Sequence, residues 1–192
     1  MKLYLIRHGE SENNKLGLYT GWTDANLTEK GFEDAKRVRK YIEDVQFDKI
    51  YSSDLTRAKK TAETAIPGCV YEETHLLREI NLGELEGNKI SLCAGIFGED
   101  YLKNIAETNY KPYGGENYEE FMVRVKKFLD MVSESGYENV AAFAHGGFLR
   151  RCAYYILGMT IPRKLFPCKN CAIEILEYKD GEWNIHSLIN TQ

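Results

Sequence analysis

The sequence opens with the stretch KLYLIRHGES at residues 2–11, which predicts a strand and the turn that follows it. Residues 2–6 form a short apolar run, typical of a strand that is buried on both faces of a sheet. Arg7 and His8 follow the run directly, so two groups that bind anions stand at the end of the strand. In an open α/β sheet this is where ligands bind, beyond the carboxyl ends of the strands.

Outward from this stretch, the chain alternates predicted strands and helices. Strands are predicted over 2–6, 48–51, 69–72, 139–144, 173–178 and 183–189, and helices over 28–45, 53–65, 117–132 and 146–157. Repeated strand–helix units predict an α/β fold, a three-layer sandwich with a mainly parallel sheet flanked by helices. Asp180-Gly181 predicts a hairpin that adds an antiparallel C-terminal edge.

The helix boundaries rest on capping residues and apolar periodicity. Thr28 is the predicted cap of the first helix, Ser53 or Asp54 caps the second, and Asn117 begins the third. Residues 88–116 show no clear period, and we interpret them as an insertion that forms a substrate lid, with a short helix near residues 101–106. We expect residues 1–192 to form one domain.

Composition excludes several classes of protein. The 192 residues are 43% hydrophobic and 28% charged, typical of a globular chain, and the net charge of −4 argues against a general nucleic-acid-binding surface. No apolar run is long enough to span a membrane, and the apolar stretch at the N-terminus is too short for a signal peptide. Five cysteines, an odd number, suggest reduced thiols and a cytoplasmic location.

Three turns that bear cations or imidazoles follow three predicted strands. They carry Arg7 and His8, Arg57, and His145 followed by two glycines. If the strands end at one sheet edge, these groups converge there, and helix N-termini add free N–H donors. Two guanidiniums and two imidazoles suit a phosphoryl group, because arginine matches its oxygens bidentately. The alternative for Arg57 is an ion pair with Asp54 on one helix turn.

The same residues carry a resemblance to a known family. The chain resembles the histidine phosphatase superfamily, the phosphoglycerate-mutase-like proteins, in ordered motifs across residues 3–150. These are Leu5-Ile6-Arg7-His8-Gly9-Glu10-Ser11 with Asn14, Thr20-Gly21-Trp22-Thr23-Asp24, Leu27-Thr28-Glu29-Lys30-Gly31, Ser52-Ser53-Asp54-Leu55-Thr56-Arg57-Ala58, Leu77-Arg78-Glu79-Ile80-Asn81-Leu82-Gly83-Glu84-Leu85-Glu86-Gly87, Gly114-Gly115-Glu116 and Ala144-His145-Gly146-Gly147.

The resemblance implies a role for each matching residue. It implies that His8 is the nucleophile and Glu79 the proton donor and later the base. It also implies a group of residues that bind the substrate phosphate, or inorganic phosphate or sulfate in its place: Arg7, Asn14, Arg57, His145 and Gly146. Thr20 and Gly21 align with substrate-contacting positions of the mutase branch.

Physical chemistry supports these roles independently. Arg7 and Arg57 disfavour the imidazolium form of His8, so we expect His8 to stay nucleophilic at neutral pH. A phosphoryl dianion near Glu79 favours the protonated acid, which can donate to the leaving oxygen. With this many protein cations we expect no metal and no cofactor. The alternative for Glu79 is a solvated carboxylate, like most of the acidic residues in 72–86.

Cys168-Lys169-Asn170-Cys171 is a CxxC pair whose metal or redox role is disfavoured. Zinc would need two further ligands, and the sequence has no second pair. Thioredoxin-like chemistry would place the pair at the start of a helix, whereas Cys171 leads into a predicted strand. The role of the two cysteines stays open.

Three functions remain, of which we favour a phosphatase. Residues 88–116 contain Lys89, Lys103 and Lys111 but no arginine, whereas the mutases that the chain resembles use extra arginines there. A less cationic lid suggests a small phosphate monoester with an uncharged body and water as the acceptor. The Thr20-Gly21-Trp22 segment favours a mutase, and a non-catalytic phosphate-binding protein is the third alternative. The late hairpin could also pair with a second copy to give a homodimer.

Overall fold

A computed structural model describes residues 1–159, 166 and 168–191 and shows one mixed β-sheet. In this part of the chain the sheet order is β3-β2-β4-β1-β5-β6. The strands are β1 Lys2–Arg7, β2 Lys49–Ser52, β3 Glu72–Glu73, β4 Asn139–Ala144, β5 Ile173–Lys179 and β6 Glu182–Ile189.

The strand register explains where a site can form. Strands β1 and β2 both pair in parallel with β4, so that Ile6 and Ser52 lie level with Phe143. The turns that follow these three strands therefore leave the same edge of the sheet. Strand β5 runs antiparallel to β1, and β5 and β6 form the predicted hairpin through Asp180 and Gly181, both at positive φ.

Helices cover both faces of the sheet and complete the three-layer α/β sandwich that the sequence predicts. They are α1 Glu12–Leu16, α2 Glu29–Ile42, α3 Thr56–Ala65, α4 Cys93–Phe97, α5 Tyr101–Glu107, α6 Tyr118–Ser133 and α7 Gly146–Leu157. Strand β4 alternates its side chains between the two cores: Val140 and Ala142 lie with the core of α6 and α7, and Ala141 and Phe143 with that of α2 and α3.

Helices α6 and α7 match their sequence patterns closely. Asn117 caps α6 with a reciprocal capping box to Glu120. The predicted apolar stripe of α6 is fully buried: Phe121, Val125, Phe128, Leu129 and Val132. Helix α7 ends, as predicted, before Gly158 in the left-handed conformation.

Other boundaries differ from the prediction because distant residues set them. Helix α2 ends at Ile42, three residues early. The N-cap position of α3 is held by Leu55, whose side chain has no acceptor. Asp24 from another loop accepts instead from the amide of Thr56 at 2.8 Å, so the predicted caps Ser53 and Asp54 are not used. Strand β3 forms at 72–73 instead of 69–72, and α4 was not predicted because residues 88–100 show no period.

Strand β5 carries a buried carboxyl group. Glu174 of β5 is 1% exposed and lines a cavity of about 140 Å³ together with Leu149, Phe166 and Cys168. Neither carboxyl oxygen has a hydrogen-bond partner in the described part of the chain. Burial alone raises the pKa of Glu174 well above its ordinary value, because the charged form is not solvated there.

Replacing Glu174 with glutamine should therefore change how stability depends on pH. A raised pKa in the folded state means that Glu174 favours folding most below its unfolded pKa of about 4.5, and that this contribution is lost as the pH rises. We expect E174Q to melt above the wild type at pH 8, with the gap closing toward pH 4.5. Thermal unfolding of both proteins between pH 4.5 and pH 8 measures this difference in melting temperature. A difference that does not change with pH would show that the pKa of Glu174 is not raised by folding.

Candidate active site

His8 stands at the end of β1 with its ring fixed by the backbone. Its side chain is buried, and its Nδ1–H donates to the carbonyl of Gly9 at 2.7 Å. In a neutral imidazole this hydrogen bond leaves the lone pair on Nε2. Burial first, and then the charges of Arg57 and Arg7, hold the pKa of His8 well below its ordinary value, against the opposing effect of the Gly9 hydrogen bond. Nε2 is therefore an unprotonated nitrogen at neutral pH.

Arg57 is buried in the first turn of α3 and stays charged. Its Nη1 donates to the carbonyl of Thr23 at 2.9 Å, and its Nη2 to that of Gly21 at 2.7 Å. Burial lowers the pKa of Arg57 to about 10, against the pull of nearby carboxylates, so the guanidinium is a cation at pH 7. The alternative of an Arg57–Asp54 ion pair is wrong, because Asp54 pairs with Arg78 at 2.7 Å between Oδ1 and Nε.

His145 is the N-cap of α7, and its ring stands 5.1 Å from that of His8 between centroids. Its Nε2 lies 2.9 Å from the hydroxyl of Ser53, which also accepts from the amide of Leu55. The Ser53 hydroxyl can thus donate to Nε2, which leaves the hydrogen of neutral His145 on Nδ1. Burial and then the charge of Arg57 hold the pKa of His145 well below its ordinary value.

Three buried donors converge on this edge without a partner. Arg7 donates from Nη1 to the carbonyl of Cys168 at 2.5 Å, and its Nε lies beside Gly146. Within the residues that the structure describes, the Nε of Arg7, the Nε of Arg57 and the Nδ1 of His145 are buried and have no hydrogen-bond partner. An unpaired buried donor costs about 1–3 kcal/mol, so the three together mark a site for an anion.

Glu79 faces this cluster from the loop after β3. Its Oε2 accepts from the amide of Gly147 at 2.8 Å, and its Oε1 from the amide of Ile80 at 2.9 Å. A Cβ on residue 147 would lie 1.9 Å from Oε1, so only glycine allows the carboxyl this position. The charge of Glu79 raises the pKa of Arg57, against the larger effect of burial.

Residues without a predicted role hold the Glu79 loop. Arg124 of α6 donates to the carbonyls of Leu76, Arg78 and Glu79 and pairs with Glu116 at 2.8 Å. The indole N–H of Trp22 also donates to the carbonyl of Glu79, at 2.8 Å. One sequence signal could have indicated Arg124: it is a cation beside Phe121 and Val125 on the apolar face of a predicted helix.

Asn14 is oriented by its neighbours. Its Oδ1 accepts from the amide of Ser11 at 3.3 Å and from the Nδ2 of Asn170 at 3.2 Å. Because Oδ1 accepts both of these hydrogen bonds, the side-chain Nδ2 of Asn14 points the other way and can donate to another group. Asn170 also donates to the carbonyl of His8 at 3.1 Å, so the 168–171 turn holds the backbone of His8.

The CxxC pair contributes its backbone to this turn. The Cys168 carbonyl accepts from Arg7, and the Cys171 amide donates to the carbonyl of His8 at 3.2 Å. Burial raises the pKa of the Cys168 thiol to about 11 and that of Cys171 to about 12, so both are protonated at pH 7. In the described ranges, no group of three His, Cys, Asp or Glu residues is placed to hold a metal ion.

The 20–23 segment borders the site through its backbone. Thr20 donates from its hydroxyl to the carbonyl of Leu18, and the Gly21 carbonyl accepts from Arg57. Glu86 accepts from the amides of Trp22, Thr23 and Leu82, so this carboxylate of the acidic run is structural. The segment therefore serves as a wall that holds Arg57 and the Glu79 loop.

Comparison with known proteins assigns the family. The family model of the histidine phosphatase superfamily (branch 1) matches residues 3–191. The chain belongs to this superfamily. The assignment confirms the resemblance that the motifs suggested and makes the chain an enzyme of the histidine phosphatase type. Among the described helices, none combines the length and the apolar character that a bilayer crossing requires.

Individual relatives in the superfamily carry both phosphatase and mutase names. An adenosylcobalamin/alpha-ribazole phosphatase from Salmonella typhimurium is 32% identical over 154 residues, covering 78% of this chain and 76% of the relative. A 2,3-bisphosphoglycerate-dependent phosphoglycerate mutase from Xanthobacter autotrophicus is 35% identical over 162 residues, covering 77% of each. The crystal structure of a mutant phosphoserine phosphatase from Entamoeba histolytica with phosphoserine has a TM-score of 0.85 at 27% identity, covering 100% of this chain and 98% of that one.

Proposed function

We propose that this histidine phosphatase hydrolyses a small phosphate monoester, without a metal, through a phosphohistidine on His8. The observation that carries the proposal is the lone pair on His8 Nε2, among three unpartnered donors of Arg7, Arg57 and His145. These donors would hold the phosphoryl oxygens, with help from the amide nitrogen of Asn14. Such a cationic cup supplies the charge stabilisation that phosphoryl transfer needs.

The reaction follows in two balanced steps. In the first, Nε2 attacks phosphorus, the bond from phosphorus to the ester oxygen breaks, and protonated Glu79 gives its proton to the leaving oxygen. In the second, water attacks the phosphohistidine and gives a proton to the Glu79 carboxylate, and the N–P bond breaks to release inorganic phosphate. Gly147 and Ile80 hold the Glu79 carboxyl in place for both steps.

We favour the phosphatase over the mutase because the segment that suggested a mutase also has contacts within the fold. The Thr20-Gly21-Trp22 segment favours a mutase only if these residues contact substrate. Three of its groups bind within the protein: the Gly21 carbonyl accepts from Arg57, the Trp22 indole donates to the carbonyl of Glu79, and the Thr20 hydroxyl donates to the carbonyl of Leu18. Residues 88–116, which we propose as the lid, are joined to Tyr19, the residue just before this segment, by a hydrogen bond of 2.6 Å between the Tyr19 and Tyr101 hydroxyls.

Turnover of p-nitrophenyl phosphate in EDTA tests the proposal. We expect full activity in the chelator, because the donors of Arg7, Arg57 and His145 stabilise the phosphoryl group without a metal ion. Activity that EDTA abolishes and a divalent ion restores would contradict the metal-free mechanism. A parallel assay with 3-phosphoglycerate and 2,3-bisphosphoglycerate should release phosphate faster than it forms 2-phosphoglycerate, and the opposite ratio would establish the mutase.

A further inference from the structure

The face of β5 toward α7 carries a carboxyl group that the proposed reaction does not use. Glu174 pairs across the sheet with Leu5 of β1 and Leu188 of β6, and its side chain lies on the α6–α7 side, where Leu5 and Leu176 belong to the core. It is 1% exposed, and among the residues that the structure describes neither carboxyl oxygen has a hydrogen-bond partner. A buried polar group without a partner costs free energy, so this carboxyl is one that a ligand can complete.

Glu174 forms part of the wall of a cavity that has room for a small organic molecule. The cavity measures about 140 Å³, and a cavity of about 150 Å³ lined by leucine, isoleucine and phenylalanine binds benzene. Buried Leu149 and Phe166 line its interior, whereas exposed Leu188 and Asn190 line it near the end of β6, so the cavity opens to solvent there. An occupant of about six heavy atoms fits this volume.

The carboxyl group decides which polar group the occupant needs. Burial favours the protonated form of Glu174, because it raises the pKa of the carboxyl. A protonated carboxyl presents one O–H donor beside one acceptor oxygen. The C=O and N–H of a primary amide present the complementary acceptor and donor side by side, and they bring no charge into an apolar cavity.

An ammonium group suits this cavity less well than an amide. Among the described residues no cation acts on the pKa of Glu174, and the groups within reach of its charge include the thiols of Cys152 and Cys168. Burial raises the pKa of both thiols, so neither supplies a charge. An ammonium ion would therefore leave water for a single carboxylate, and the desolvation cost of such a buried ion pair can exceed the attraction between its charges.

We propose that this cavity is a second binding site of the protein, which takes small uncharged primary amides with Glu174 as their hydrogen-bonding partner. The cavity and the active site meet at Cys168, whose carbonyl accepts from Arg7 and which also lines the cavity. The donors that we propose for phosphate, on Arg7, Arg57 and His145, are not among the residues that line the cavity. The second site therefore does not depend on the proposed phosphatase function.

Two molecules of the same shape test the proposal: isobutyramide and isopropyl methyl ketone, in which a methyl group replaces the amide nitrogen. NMR titration follows the methyl signals of Leu149, Ile173 and Leu188, which line the cavity. We expect the wild type to bind the amide about 10-fold more tightly, because the ketone leaves the acceptor oxygen of Glu174 unpaired. Equal binding of the two molecules, or no movement of these signals with either, would overturn the proposal.

Two substitutions show whether the carboxyl group makes this difference. E174Q keeps a donor beside an acceptor, so the preference for the amide should persist at about 10-fold. E174M keeps the length of the side chain and loses both groups, so the amide and the ketone should bind alike. A preference that E174M retains, or that E174Q loses, would show that the amide does not bind at Glu174.

Inorganic phosphate and isobutylamine serve as competing probes. Binding of isobutyramide should be unchanged in saturating phosphate, because the two ligands use different residues, and displacement by phosphate would instead place the amide in the active site. Isobutylamine should bind more weakly than isobutyramide, because its charge has to be desolvated. Tighter binding of the amine would show that the cavity takes cations and would overturn the assignment of amides.

Discussion

Replacing His8 with alanine should lower kcat for p-nitrophenyl phosphate by about 10⁴-fold or more, the order of loss seen when a covalent nucleophile is removed. The variant removes the proposed nucleophile, Nε2, while the groups that would bind the phosphoryl oxygens, Arg7, Arg57 and His145, remain. We therefore expect H8A to bind inorganic phosphate with nearly the affinity of the wild type, as isothermal titration can measure.

The matched control for this variant is H186A. His186 is exposed on the edge strand β6, and its Nε2 lies 3.5 Å from the Nζ of Lys2. Loss of this ring should leave kcat within about twofold of the wild type, as is usual for surface substitutions away from the site. An H8A enzyme that kept more than a tenth of the wild-type rate would exclude His8 as the nucleophile.

Replacing Glu79 with glutamine should slow alkyl phosphates by about 10²–10⁴-fold, because an alkoxide cannot leave without a proton. With p-nitrophenyl phosphate, E79Q should be slowed in the second step only. Nitrophenolate leaves without a proton, so the first step proceeds, whereas water attack on the phosphohistidine lacks its base. Stopped-flow measurement should then show a burst of nitrophenol equal to the enzyme concentration, followed by slow turnover.

Two further variants serve as comparisons for E79Q. G147A keeps the carboxyl but displaces it, because the new Cβ would lie 1.9 Å from its Oε1, and a misplacement of this size can cost about 10²-fold. E84Q alters an exposed carboxylate of the same acidic run and should have no effect. Equal losses on alkyl and nitrophenyl substrates without a burst would show that Glu79 does not transfer protons.

The sequence predicts those parts of the fold that local patterns determine. Strand β4 and helix α7 begin and end where their apolar period and the following Gly158 indicate. The start of α3 was missed because the acceptor for the amide of Thr56 is Asp24, which is 32 residues away along the chain. Local signals cannot reveal a cap that tertiary structure supplies.

The candidate site divides in the same way. His8, Arg57 and His145 could be grouped in advance because parallel strands bring their following turns to one edge. Arg124 and Asn170 could not be grouped with them, because their partners come from other elements: the Glu79 loop and the His8 carbonyl. Groups that orient the reacting residues depend on long-range packing that no motif records.

Direct detection of the phosphoenzyme tests the mechanism most closely. The enzyme is mixed with excess substrate, quenched in alkali, where phosphohistidine survives, and its peptides are mapped by mass spectrometry. We predict one phosphoryl group on Nε2 of His8, accumulating in E79Q and absent from H8A. A phosphoryl group on another residue, or none on His8 in E79Q during steady turnover, would contradict covalent catalysis by this histidine.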